Sequence, residues 1–352
     1  MTVEKRIEAF TKLGEFLSQF QPDGIAQNDK AVLNELFFEP FNMQVNRASE
    51  FNGWFTKNNV LFAFSKWSNI LNDKNLRKWT SSYNLSEIKP KKIGVIMAGN
   101  IPLVGFHDFM TVLISGHEII VKQSSSDAHF LPLIAKYLEY VAPEFKGRIS
   151  FTDERIRDFD AVIATGSNNT ARYFDYYFGK YPHIIRRNRN SVAVLTGNES
   201  KEDLEKLGED IFRYFGLGCR SVSKLFVPRG YDFDNLFEAI YSYREVLNYD
   251  KYVNNYDYNK AVYLMSQYQL LENGFLMLKE DNSYASPIAT LFYEYYDDKK
   301  TLGQKLQADK ESIQCLVGKS GELKMVDFGE TQNPQLWDYA DDVDTMKFLQ
   351  DL

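Results

Sequence analysis

The sequence predicts an α/β fold, a helical N-terminal segment followed by two regions where short apolar runs alternate with helical stretches. Three observations carry this. Residues 1–85 place apolar side chains at three- and four-residue steps, the period of one helix face. From residue 93 onward, short β-branched runs that end in Gly recur. Helical stretches separate those runs, as βαβ units with a parallel sheet covered on both faces require.

In chain order, Val3, Ile7, Phe10, Leu13, Leu17 and Phe20 line one helix face, and Leu61, Phe64, Trp67 and Leu71 line another. The helical part ends at Lys89-Pro90-Lys91-Lys92, a solvated basic turn leading into the strand IGVIMAG (93–99). A helix over Val104 to Ile114 precedes the strand HEIIVKQ (117–123). RISF (148–151), AVIATG (161–166) and SVAVLTG (191–197) continue the strand pattern. A second α/β region starts near Glu199, with a helix from Lys201 to Tyr214, the strand SKLFV (223–227), a helix from Phe233 to Tyr243 and the run PIATLFYEYY (287–296). The end, residues 328–349, is acidic and irregular and reads as a surface-wrapping tail. The expected boundaries are 1–85 (helical segment packed on the first α/β domain), 86–197, 198–325 and 326–352.

Composition limits the function. A chain of 352 residues with 44% hydrophobic and 25% charged residues is globular and long enough for two domains. Lys+Arg 41 against Asp+Glu 48 gives −7, which argues against a nucleic-acid-binding face. The longest mostly apolar stretch, Thr111 to Val121, is broken by Gly116, His117 and Glu118, short of the roughly 20 residues a membrane span needs. The N-terminus is charged from residue 4 and has no apolar h-region, so the expected location is cytoplasmic. Two cysteines make no disulfide framework, and no CxxC or HxxxH is present to hold zinc. The 15% aromatic content reads as a bulky core.

Chemistry-bearing residues gather where parallel sheets bind ligands, at or just past strand ends: Asn100, Lys122 and Gly166-Ser167. Cys219 stands in G-L-G-C, flanked by glycines that let backbone approach a ligand, which favours a nucleophile over an inert thiol. Cys315, beside Leu316, reads as a buried inert thiol. Other templates fail. GKSGE (318–322) looks like the end of a phosphate loop, but its first required Gly falls on Ile313. No G-x-S-x-G elbow is present.

Four motifs in one order, GVIMAGNIPL (94–103), SGHEIIVKQSSS (115–126), VIATGSNNTA (162–171) and FGLGCRSVSKLFV (215–227), together resemble the aldehyde dehydrogenase superfamily. Within it they look like the LuxC-type acyl-CoA reductases, as do residues 52–79 and the tail, so the resemblance covers most of the chain. It implies an aldehyde-dehydrogenase-like fold, a Rossmann-type dinucleotide-binding domain plus a second α/β catalytic domain. It also implies reduction of a fatty acyl thioester, acyl-CoA or acyl-carrier, to the aldehyde through an S-acyl-cysteine. Cys219 would be the attacking thiolate. Asn100 would form the oxyanion hole with the Cys219 N–H, a role compatible with that of a helix N-cap or turn residue.

Lys122 matches the family lysine on the adenosine ribose, and Gly166 with Ser167 match the Gly-Ser beside the pyrophosphate. Ser125 stands where NAD-preferring relatives often carry Glu, so the expected cofactor is NADPH, with NADH as the alternative. Ala171 replaces a later Gly of that motif. Ile185 falls where hydrolytic relatives place a water-activating Glu, and Ser283 where they place a ribose-binding Glu. Arg186, Arg187 and Arg189 read as a solvated loop rather than a CoA phosphate site, and His107 as a helix-surface residue. Dimerisation is implied by the superfamily resemblance alone. Two alternatives stay open: an acyl-phosphate reductase on the same fold, and a non-catalytic dinucleotide-binding subunit of an acyl-transfer complex.

Overall fold

The computed structural model describes residues 1–319 and 324–352. The chain divides into two units, Met1–Arg187 with Gln335–Leu352, and Asn188–Pro334. The GKSGE stretch lies largely outside the described residues.

The first unit begins with α1 (Val3–Leu17), capped by Thr2, whose side chain accepts from Lys5 N. Its apolar stripe, Ile7, Phe10, Leu13 and Leu17, is buried as the spacing predicts. A two-stranded hairpin follows, β1 (Phe20–Gln21) with β2 (Gly24–Ile25), then α2 (Asn34–Phe51), α3 (Lys57–Ile70) and α4 (Asp73–Thr80). Phe20, expected on the helix, sits in β1 yet is fully buried among Phe16, Phe38, Phe41 and Phe64. Offset and edge-on aromatic contacts of this kind add about 0.5–1.5 kcal/mol per pair beyond their area.

The sheet of this unit comprises β3 (Lys92–Ile96), α5 (Phe106–Ser115), β4 (Glu118–Lys122), α6 (Phe130–Val141), β5 (Ile149–Phe151), β6 (Ala161–Thr165), α7 (Asn168–Phe178) and β7 (His183–Arg186). Its order is β5-β4-β3-β6-β7, all parallel. From β3 the chain winds outward through β4 to β5, then returns to pair β6 on the other side of β3. Right-handed crossovers in opposite directions place α5 and α6 on one face and α7 on the other. The topological switch point therefore lies between the carboxyl ends of β3 and β6.

The second unit holds β8 (Asn190–Val194), α8 (Lys201–Phe212), β9 (Val222–Pro228), α9 (Phe233–Ala239), α10 (Asp250–Met265), β10 (Leu270–Glu272), β11 (Met277–Glu280), β12 (Thr290–Tyr296), α11 (Lys299–Ala308) and β13 (Ile313–Val317). Its sheet runs β10-β11-β12-β9-β8-β13, parallel except for the antiparallel edge strand β10. SVAVLTG, expected to close the first α/β region, is β8 of this second sheet, because it pairs with β9 and β13. The helix expected to reach Tyr214 stops at Phe212, since Tyr214 and Phe215 take left-handed backbone angles.

The tail is not a surface wrapping. It returns to the first unit and ends in α12 (Thr345–Gln350), which packs on α5. Leu336, Met346 and Leu349 are fully buried there. The buried Arg186 guanidinium pairs with Asp108 and donates from Nη2 to Thr345 Oγ1 at 2.9 Å. Net acidity concealed these apolar contacts in the sequence, because the acidic residues lie between them rather than at them.

Candidate functional site

The expected site residues fall into two groups, one in each unit. In the first unit, every one of them lies at a carboxyl end of the five-stranded sheet. Asn100 follows β3, exposed, on a loop that passes close to the turn after β4. A Cβ at Gly99 would fall 2.6 Å from Ser124 Cβ and 2.7 Å from its Oγ, so this crossing needs glycine. Asn100 is not a helix cap, for α5 starts later, behind Gly105. Between them Leu103 takes a left-handed conformation (φ 57°), an arrangement that costs of order 1–2 kcal/mol and needs outside support. The support is Asp127, whose Oδ2 accepts the Leu103 N–H at 2.9 Å. Burial pushes the Asp127 carboxyl up to about 7 even though that bond favours the charged form. Its Oδ1 is buried with no hydrogen-bond partner among the described residues.

Lys122 closes β4, and its Nζ donates to the carbonyls of Asp153 and Glu154 at 3.1 and 3.0 Å. Those two bonds fix the ammonium beside the loop after β5. Ser124 accepts from Ser126 N and caps a 3-10 turn over Ser125–Asp127, which leaves Ser125 exposed. On the far side of the switch point, Gly166 follows β6 and Ser167 is the N-cap of α7, its Oγ accepting from Thr170 N at 3.2 Å. A Cβ at Gly166 would meet Phe174 and Thr170 at 3.0 Å, so glycine lets α7 start tight against the strand. Ala171 is fully buried beneath that turn. Exposed Ser167 at the positive end of an 11-residue helix is a polar, anion-accepting position.

In the second unit, Cys219 is exposed at the amino end of β9, on a turn closed by Ser221 N donating to Gly218 O at 3.0 Å. Ser191 on β8 donates its hydroxyl to Cys219 O at 3.0 Å, and Arg220 donates from Nε to Thr331 O. Upstream, Tyr214 (φ 55°), Phe215 (φ 57°) and Gly216 (φ 75°) form three consecutive left-handed residues. The first two are anchored by burial, Phe215 edge-on against Tyr249 at 4.9 Å. A strained but anchored approach holds the thiol on a defined turn rather than a loose loop. Cys315, in contrast, is buried on β13.

The remaining candidates are structural. Arg186 is buried in the ion pair described above, not on a solvated loop; Arg187 pairs with Asp175 at 2.8 Å, and Arg189 donates to the carbonyls of Lys310 and Ile313 at 3.4 Å. His107 is not a surface residue either. Its Nε2 lies 2.9 Å from Leu336 O, its ring packs by Trp79 and Tyr339, and burial pushes its pKa down, so the ring is neutral. Ile185, in β7, brings no carboxylate. Ser283 is exposed, its N–H held by Asp281 Oδ1 at 2.8 Å. Sequence reasoning missed Asp127 and also Asp210, a buried carboxylate on α8. A single Asp among polar neighbours carries no periodic or motif signal.

Two mainly parallel sheets, one with Asn100, Lys122 and the Gly166-Ser167 turn at its carboxyl ends and the other with a cysteine at the head of a strand, make an aldehyde-dehydrogenase-like α/β fold. Solved structures agree. Aldehyde dehydrogenase 21 from Physcomitrella patens, solved with succinate, matches with TM-score 0.64 at 12% identity, covering 91% of this chain and 74% of that one. An NADP-dependent enzyme of E. coli matches at 0.64 and 12%, over 92% of this chain and 74% of its own. A Mycobacterium tuberculosis aldehyde dehydrogenase, complexed with NAD+, matches at 0.60 and 14%, over 90% and 73%. The family described as Acyl-CoA reductase (LuxC) matches residues 57–242, more than half of the chain. The chain belongs to this family of acyl-CoA reductases. No curated protein matches it, and no helix among the described residues is long and apolar enough to cross a membrane.

Proposed function

We propose that this chain is an NADPH-dependent reductase of fatty acyl thioesters, acyl-CoA or acyl-carrier, that works through an S-acyl-Cys219 intermediate. The observation that carries the reading is the exposed thiol of Cys219 on a turn braced by Ser191 and Arg220 in a chain of this family. The Cys219 thiolate attacks the thioester carbonyl, and the Asn100 amide with the Cys219 N–H holds the oxyanion as the thiol leaves. Nicotinamide dinucleotide, held at the turns that carry Lys122, Ser125, Gly166 and Ser167, would supply hydride to the S-acyl-Cys219, and collapse of the resulting thiohemiacetal to aldehyde would free the Cys219 thiolate. Ile185 in place of a general-base carboxylate leaves water unactivated, so the acyl-enzyme persists long enough to be reduced.

The residues present suit a dinucleotide phosphate. Glycine at 99 and 166 keeps both loops of the switch point low, and Ser167 caps a helix that favours anions. Ser125 is exposed without a carboxylate, while Asp127, two residues on, turns inward to Leu103. The turn thus offers hydroxyls and the Lys122 ammonium to a 2′-phosphate, which favours NADPH over NADH. The domain roles follow: 86–187 binds the dinucleotide and the second unit carries the nucleophile.

The test is intact mass after mixing the protein with a panel of acyl-CoAs, without cofactor, beside Cys219→Ala. An acyl-sized gain in the wild type alone, discharged as aldehyde on adding NADPH, supports the reading. No gain from any acyl-CoA rules out acyl-CoA as the donor and leaves a carrier-bound or phosphate-activated acyl group, or a chain without this chemistry.

A further inference from the structure

Beneath the Cys219 turn, within the same unit, lies a buried carboxylate that the chemistry above does not use. Asp210 sits in the last turn of α8 with no exposed surface. Its placement is doubly unfavourable, since a negative charge there opposes the helix dipole and burial strips its water. Three bonds offset this, and all go to one short segment distant in sequence. Oδ2 accepts Gly329 N at 2.7 Å; Oδ1 accepts Thr331 N at 3.0 Å and Thr331 Oγ1 at 2.8 Å. Gly329 is left-handed (φ 84°), and a Cβ there would fall 3.2 Å from Lys206 Cβ, so the segment crosses α8 at close range.

Thr331, fully buried, then presents its carbonyl to the Arg220 guanidinium, and Arg220 is the residue after Cys219. The series Asp210, Thr331, Arg220 has charge-assisted bonds at both ends, the shorter and stronger kind. With Ser191 on the Cys219 carbonyl, it restrains the turn from two directions.

We propose that Asp210 is a positioning residue for Cys219: it fixes residues 329–331, whose Thr331 carbonyl anchors Arg220 and so sets the direction of the turn that presents the thiol. The proposal deepens the function above and rests on Cys219 being the acylated nucleophile. A brace serving stability alone would do as well with apolar packing. A carboxylate that takes two backbone N–H groups fixes the orientation of the peptide it holds.

The arrangement has a pH signature. Burial pushes the Asp210 carboxyl up to about 6, against the bonds from Gly329 and Thr331 and with help from neighbouring Glu209. Tyr243 faces it from the 3-10 stretch after α9, Lys206 lies one turn back, and Arg220 stands beyond Thr331. Protonation puts a hydroxyl donor where amide donors point, so the brace loosens below about pH 6. The folded-state pKa is above the ordinary 3.8, so the folded protein binds the extra proton and this group does not lower stability on acidification. Loss of activity there is therefore separable from unfolding.

The experiment measures Cys219 acylation by acyl-CoA and amide exchange of residues 216–222 in the full chain. The variants are Asp210→Ala, Asp210→Asn and Arg220→Met. Asp210→Ala and Arg220→Met are expected to slow acylation by about a hundredfold, the cost of a misplacement near 1 Å, with the acyl-CoA KM unchanged. Both should speed exchange in the turn. Asp210→Asn puts an amide donor where one acceptor stood, as protonation does, so it should react at the wild type's slow acid-limit rate at every pH, without the limb near pH 6. Wild-type acylation and exchange in Asp210→Ala overturn the proposal; if that variant does not fold, the same result in Arg220→Met does. A wild-type chain that accepts no acyl group sinks the catalytic reading instead, and exchange in the turn then decides the positioning role alone.

Discussion

At Ser125 a single hydroxyl stands where a carboxylate would repel a 2′-phosphate, and the proposed preference for NADPH turns on that difference. Ser125→Glu places a negative charge on the exposed 3-10 turn three residues from Lys122. Its expected effect is a rise in NADPH KM of roughly tenfold, the ratio that about 1.4 kcal/mol of repulsion produces, with NADH affected little or improved. Steady-state kinetics with both cofactors checks this, and equal effects on the two would sink the 2′-phosphate argument. Lys122→Ala should weaken NADPH in the same assay, while its loss also frees the carbonyls of Asp153 and Glu154. The placement of Cys219, Asn100 and Lys122 beside strands was legible in the sequence because each sits in a short motif next to an apolar run. Asp127 and Asp210 were not, because their importance comes from burial and from partners far along the chain or across a turn.

At the scale of elements, loops do the positioning and the strands set where the loops begin. The turn after β4 and the loop after β3 are joined by a bond from Leu103 N to Asp127 and by the close passage at Gly99. Asp127→Leu removes the acceptor under a left-handed leucine and should lower turnover about tenfold or more, the effect of releasing an oxyanion donor. Asp127→Asn keeps the acceptor and should cost much less. The pH dependence has a definite sign. With the Asp127 pKa raised by burial to about 7, the folded chain holds a proton that the unfolded chain releases at lower pH. Stability from this group is therefore full below about pH 4 and declines as pH rises toward 7. Asp127→Asn should flatten that part of the slope when thermal midpoints are compared between pH 5 and pH 8; an unchanged slope would place the titration elsewhere.

For the whole molecule, the two-sheet α/β plan was readable because buried parallel strands are continuous apolar runs, as IGVIMAG and AVIATG show. The edge strands β10 and β13 and the long helix α10 were not. Strand β10 spans three residues, and α10 buries only Tyr252 and Tyr256, so neither leaves a periodic trace. The tail illustrates the same limit. Its Leu336, Met346 and Leu349 are too widely and irregularly spaced to signal burial, yet they complete the core of the first unit. His117 shows how the attachment is made: its Nδ1 accepts Lys91 N at 3.1 Å, so its Nε2 carries the proton and donates to Leu349 O at 2.9 Å. Burial pushes the His117 pKa down, and the neutral ring is what these bonds require. The folded-state pKa lies below the unfolded value, so the stability it contributes is full above about pH 6.5 and is lost as pH falls. Leu349→Ala should cost about 2–5 kcal/mol, as truncation of a buried leucine does, and raise amide exchange in α5 and the five-stranded sheet. Acidification from pH 7.5 to 5.5 should open the same amides in the wild type, and His117→Gln, which cannot titrate, should remove that response. An acid response that survives in His117→Gln would mean that the tail is held by its apolar contacts and the Arg186–Thr345 bond, with no part for the imidazole.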